Sequence, residues 1–235
     1  KDNHNVNKEQ SNSENAAVDT EPKDSPTDEN RKKSDDNGSI LITQGEYIRQ
    51  KKKPFEIKQW MDRVIDDLSV ENADIMIANY EEYLTDWLPY YSEKLDRDDY
   101  QSILLDEYIN IISSDKYIDI SMTAIGKEVF DISDAELKSL LDEIYEAGYT
   151  IHTAEGYFFP VIDYTCFTQY KDKISDELYD YFTAMALQSE KPFASDAALM
   201  ITWDELADRI NVHESYLNKY PDSIRKEEMQ RYLLY

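Results

Sequence analysis

Three histidines, one cysteine and fifty carboxylates are the raw material for chemistry in this chain of 235 residues. His4, His152 and His213 are widely separated, and none stands at a metal-ligand spacing from another. No HExxH, GxSxG or Cys/His arrangement is present, and five unclustered glycines leave no phosphate-cradling loop. The lone Cys166 can form no internal disulfide, and its place after an apolar stretch reads as a small buried hydrophobe rather than a nucleophile. His213 shares its helical face with Leu206, Ile210 and Leu217, which reads as a packed or rim histidine.

The carboxylates are too abundant for pairs to be informative. Asp66 with Asp67, Glu81 with Glu82, and Asp98 with Asp99 fall on or near helices, where a solvated face is the default expectation. Asp35 to Gly38 has the right end for a calcium loop, but position 1 would be Lys33 and position 12 Gln44, so the ligand set fails. A glycosidase would need two carboxylates across an aromatic cleft, and Glu155 with Asp163 is the pair that an alternative hydrolase reading would use. No catalytic residue, metal or cofactor is expected.

Aromatic contact is the chemistry left. Nineteen tyrosines are spread through the chain, and five aromatics, Tyr149, Tyr157, Phe158, Phe159 and Tyr164, crowd into one stretch. Large rings give contact area at small entropic cost, which suits recognition of a protein or sugar. These five are the candidate binding residues. They lie in Gly148 to Tyr164, the one β-signal, read as a hairpin whose three-residue loop is Ala154, Glu155 and Gly156. Thr153 then faces Tyr157, Ile151 faces Phe159 and Tyr149 faces Val161. Pro160 has no N–H to give, so the second strand is an edge or carries a bulge. Two strands need a helical support on one face, leaving either Phe158 and Ile162 or Tyr157 and Phe159 outward.

The rest of the chain reads as helices. Apolar stripes run from Pro54 through Leu68, from about Glu71 to Trp87 with an end before Pro89, and from about Asp98 to Ser113. Ser133 to Glu136 is a capping box for a helix that Gly148 stops, and Ser175 caps another that Pro192 breaks. Thr202 to Glu205 opens a helix to Tyr220, and a last helix carries Met229, Leu233 and Leu234. Tyr117 to Phe130 is irregular. The fold class expected is mainly α, an irregular bundle of about seven or eight helices with one β-hairpin insertion at 148–164.

Residues 1–38 are built mainly from Asn, Asp, Glu, Ser, Lys and Pro without a Phe, Tyr or Trp, the composition of a disordered polar tether before a single domain at 39–235. With 25 Lys and Arg against 50 Asp and Glu, the formal net charge of −25 repels phosphate backbones, so nucleic acid is not an expected partner. The basic run at Arg49 and Lys51 to Lys53 reads as a solvated helix end. No apolar run approaches the roughly 20 residues that span a bilayer.

The Asn- and Ser-rich segment from Lys1 resembles the linker of a Gram-positive lipoprotein, with a lipidated cysteine expected just upstream and a targeting segment already removed. Tyr216-Leu217-Asn218-Lys219-Tyr220-Pro221-Asp222-Ser223 resembles the helix-to-helix junction of tetratricopeptide-like repeats in bacterial envelope proteins; only the helical hairpin is carried over, because no 34-residue period is visible. These resemblances imply an extracytoplasmic accessory protein that binds a protein or cell-wall component and meets the membrane only through its upstream anchor. A cytosolic partner-binding domain is the plainer alternative.

Overall fold

In the computed structural model, the residues described are 38–113, 124–127, 129–195 and 198–233. The tether expected at 1–38, apart from Gly38 at the start of α1, and most of the irregular stretch from Tyr117 lie outside them. The order is α1 (Gly38–Arg49), α2 (Pro54–Val64), α3 (Val70–Leu95), α4 (Asp98–Ser113), α5 (Ala135–Ala147), β1 (Tyr149–Ala154), β2 (Tyr157–Ile162), α6 (Thr165–Thr168), α7 (Asp176–Glu190), β3 (Ala194–Ser195), β4 (Ala198–Leu199), α8 (Trp203–Lys219) and α9 (Lys226–Arg231). The fold is mainly α with a β-hairpin, as the stripes imply. The four-residue α6 and the small β3–β4 ladder had no signal of their own.

The local stop and start signals explain most boundaries. Ser175 and Thr202 each accept a bond from the backbone three residues on, at Leu178 and Glu205. Gly148 ends α5 at φ +99, where a Cβ would also meet the Cys166 sulfur at 3.0 Å. The start of α5 differs from expectation by one residue: Asp134, not Ser133, is the cap, its carboxylate accepting from Leu137 N at 2.8 Å. A carboxylate at that place also meets the positive end of the helix dipole.

A larger correction concerns α3, which runs through Pro89 to Leu95. A proline inside a helix costs about 3 kcal/mol. Here the ring is exposed, and continuing the helix buries Tyr91 and Leu95 completely, each of which returns about 1.5–3 kcal/mol. Trp87, Tyr90 and Tyr91 close into one ring cluster, with centroids 5.0–5.9 Å apart. Packing outweighs the local breaker.

α3 is the axis of the core. Its buried Ile77, Tyr80, Leu84, Trp87 and Tyr91 meet α2, α5 and the hairpin. Tyrosine hydroxyls fasten these contacts: Tyr80 reaches the carbonyls of Ala147 at 2.6 Å and Pro54 at 3.0 Å, Tyr83 donates to Lys52 O at 2.7 Å, and Tyr149 donates to Leu84 O at 2.6 Å. Much of the tyrosine content is therefore spent on joining elements, each ring filling the core while its oxygen satisfies a carbonyl.

Candidate functional site

The hairpin directly follows the Gly148 cap, and its register differs from expectation by one residue. Tyr149 pairs with Ile162, Ile151 with Pro160, His152 with Phe159, Thr153 with Phe158 and Ala154 with Tyr157. The loop is therefore two residues, Glu155 (φ +53) and Gly156 (φ +79), a turn with both central residues left-handed. Such a turn matches the natural twist of two strands better than the three-residue loop. The slip is possible because Glu155 tolerates the left-handed region.

The register decides which aromatics face outward. Tyr149, Ile151, Phe158, Pro160 and Ile162 share the inner face, and Phe158 is fully buried against Tyr108 and Phe130. Thr150, His152, Phe159, Val161 and Tyr157 share the other. Thr150 and His152 are covered at one end of that face, donating to Ile125 O and Ser189 O. What remains at the surface is the ring pair Tyr157 and Phe159, nearly parallel at 22° with centroids 6.3 Å apart, Tyr157 being 43% exposed and Phe159 half-buried beside the His152 ring. The Asp96 carboxylate takes the Tyr157 hydroxyl and raises its pKa, burial being the larger cause.

The support under this pair is tightly closed. β1 carries an isolated bridge to Ile125 on its free side. β2 is the other edge, and there the Gln101 side chain behaves as a short strand: its carbonyl accepts from Phe158 N at 2.8 Å and its amide donates to Phe158 O at 2.9 Å and to Leu95 O at 3.1 Å. An edge closed in this way does not invite another strand.

The five candidate residues thus divide. Tyr149 and Phe158 are core and cannot touch a partner without unfolding the hairpin. Tyr157 and Phe159 form the open pair. Tyr164 belongs elsewhere, in a polar cluster around Glu81.

That cluster corrects the expectation of a solvated Glu81: the residue is 5% exposed. Its Oε1 accepts from Tyr181 OH at 2.8 Å and its Oε2 from Arg225 at 2.5 Å. The Arg225 guanidinium also lies over the Tyr181 ring, 4.5 Å from its centroid. Tyr164 sets its ring edge-on to Tyr181, and its hydroxyl reaches the same pair. Burial pushes the Glu81 carboxyl up, with Arg225 and Tyr181 pulling it back. Arg225 moves in the opposite sense to what its own burial alone would do, held up by Glu81. The carboxylate's desolvation governs the pair, because a guanidinium stays charged in either case. Glu81 was legible in principle: it sits on the apolar stripe, four residues after Ile77 and three before Leu84. Gln101 and Arg225 carry no comparable sequence signal.

The other reactive types are quiet. The Cys166 thiol packs against Gly148 and is pushed far up by burial and by Asp163, away from the reactive thiolate. His152 donates its Nε2–H to Ser189 O at 2.6 Å, and His213 stacks on Tyr232 at 5.0 Å with neither ring nitrogen bonded. Burial lowers the pKa of both. Glu155 is in the turn, whereas Asp163 lies past the far end of β2 and accepts from Thr165 N and Oγ1. Strand rise puts roughly 17 Å of β2 between them, against the 5–10 Å of a glycosidase pair. Among the described residues no three His, Cys, Asp or Glu side chains are placed to hold a metal, and no helix is long and apolar enough to cross a membrane.

Comparisons of the chain with protein-family models, with curated proteins and with solved structures find no match.

Proposed function

We propose that this protein is a non-catalytic binding module that recognises a protein or cell-wall component through the Tyr157 and Phe159 face of its hairpin. The observation that carries this reading is the open, parallel ring pair on a support whose turn, strand edge and buried face are all fixed by other residues. A partner that meets such rings gains apolar contact without first ordering them, so most of the contact energy appears as affinity. Tyr80 and Tyr83 of α3 are committed to carbonyls inside the fold, whereas the hairpin ring pair has surface left over.

The same proposal places the protein outside the cytoplasm of a Gram-positive cell, held by a lipid anchor upstream of Lys1. The polar, Asn- and Ser-rich composition of the first 38 residues supports this. The hydrolase alternative loses its carboxylate pair to the length of β2.

The test is the double variant Tyr157→Ala/Phe159→Ala, assayed for retention on purified cell-wall glycan and for crosslinks to surface proteins. Binding should fall at least tenfold in a variant that still unfolds in one cooperative thermal transition. Full binding by the double variant would reject this face.

A further inference from the structure

The second cluster, around Glu81, stands apart from the hairpin rings and carries its own reading. We propose that Glu81, Tyr164 and Tyr181 form a binding site for a guanidinium group, occupied in the closed chain by Arg225, and that an arginine side chain presented by a protein partner competes for it and displaces the C-terminal segment.

The walls of the site belong to the core and do not depend on that segment. Glu81 comes from α3, Tyr181 from α7, and Tyr164 from the turn between β2 and α6. Tyr181 OH fixes one carboxylate oxygen at 2.8 Å and thereby aims the other outward. A carboxylate oxygen, a phenol oxygen and an aromatic face are then presented together, and Arg225 uses all three: Glu81 Oε2 at 2.5 Å, Tyr181 OH at 3.4 Å and the Tyr181 ring at 4.5 Å. A flat, weakly hydrated guanidinium can take the ring face and the oxygens at once; an ammonium ion cannot.

Arg225 is delivered on a slender arm. Among the described residues after Pro221 the segment makes the six-residue α9, of which Met229 is the one fully buried side chain. Among the described residues its other ties to the body are the Tyr216 to Ser223 hydroxyl contact at 2.8 Å and the stack of Tyr232 on His213, while the Arg225 to Glu228 pair at 3.7 Å stays within the segment. Ile224, directly beside Arg225, is 93% exposed, so the closed arm leaves its largest apolar neighbour in water. Segments with few buried contacts open at low free energy. A formal charge of −25 on the chain draws an arginine-bearing ligand toward the opened site.

The test uses the full chain and two probes, an acetylated peptide with a central arginine and its lysine counterpart, in matched salt. The Arg225→Ala chain should bind the arginine peptide at least tenfold tighter than the unaltered chain does, because its own competitor is gone. The lysine peptide should bind at least tenfold more weakly, and adding Glu81→Gln should abolish the difference. In the unaltered chain, saturating arginine peptide should speed amide hydrogen exchange across 223–233, a readout that stands even if Arg225→Ala does not fold. Equal binding of the two peptides, no gain from Arg225→Ala, or unchanged exchange across 223–233 overturns the proposal. Tyr157→Ala/Phe159→Ala leaves all of these readouts in place, so failure here and failure of the hairpin face are separable.

Discussion

Gln101→Ala probes the support of the binding face without touching its rings. The substitution removes three bonds at once, two to Phe158 and one to Leu95 O. A buried backbone group left without a partner costs about 1–3 kcal/mol. Gln101 is half-buried, so water reaches part of the gap, and Leu95 O keeps a bond from Arg97 N; the low end applied to the two Phe158 groups gives a loss of about 2 kcal/mol in all. Gln101→Glu sharpens the test. It keeps the acceptor for Phe158 N–H but turns a carboxylate oxygen toward two carbonyls, so the loss at pH 7 should equal or exceed that of alanine. It should shrink as the pH falls toward about 4.3, because a carboxylate facing two carbonyls protonates in the fold above its unfolded value and regains a donor. Urea unfolding measures the free energies, and amide exchange at Phe158 reports the edge itself. Because Phe158 stands between Tyr157 and Phe159 in sequence, a loosened edge should also weaken binding by the rings. A loss below about 0.5 kcal/mol with Phe158 still protected would refute the claim that Gln101 closes the strand.

Three further substitutions follow from backbone and burial. Gly148→Ala must hold φ +99 and push its Cβ to 3.0 Å from the Cys166 sulfur, so urea unfolding should show a loss of about 1–3 kcal/mol. Glu155→Gly relieves a left-handed backbone worth about 1–2 kcal/mol, of which glycine's freedom in the unfolded chain takes back about half, for a net gain of about 0.5–1 kcal/mol. His213 is neutral in the fold because burial, and then Arg209, lower its pKa. A lowered histidine pKa means that its contribution is complete above the unfolded value near 6.5 and is lost as pH falls from there toward the folded value. The difference in stability between the unaltered chain and His213→Phe should therefore shift toward the variant on going from pH 8 to pH 5, and a pH-independent difference would refute this.

What the sequence showed and what it hid divide along a physical line. The caps at Ser175, Thr202 and Gly148, the stripes of α2 and α4, and the hairpin itself depend on residues within a few positions of one another, so they are legible locally. Pro89 is also a local signal, but rings brought in by the fold outweigh it, and no window around it contains them. The hairpin register turned on a single residue of loop length, and one slip moved every side chain to the opposite face. That slip puts Phe158 instead of Tyr157 on the face of Tyr149 and Ile151, which makes Phe158 core and leaves Tyr157 open. Gln101 and Phe158 are 57 residues apart and Glu81 and Arg225 are 144 apart, distances at which one sequence carries no pairing signal. The crowd of aromatics from Tyr149 to Tyr164 was visible; its division among core, open pair and Glu81 cluster required the fold.

The most direct test of the hairpin face is to place a photoreactive phenylalanine analogue at position 157 in the producing cell and irradiate. A discrete crosslinked species that is lost with Phe159→Ala, and is absent when the analogue is placed at the exposed Ser139 of α5, is the result expected. Identical products from positions 157 and 139, or products indifferent to Phe159, would contradict the assignment of this face as the contact surface.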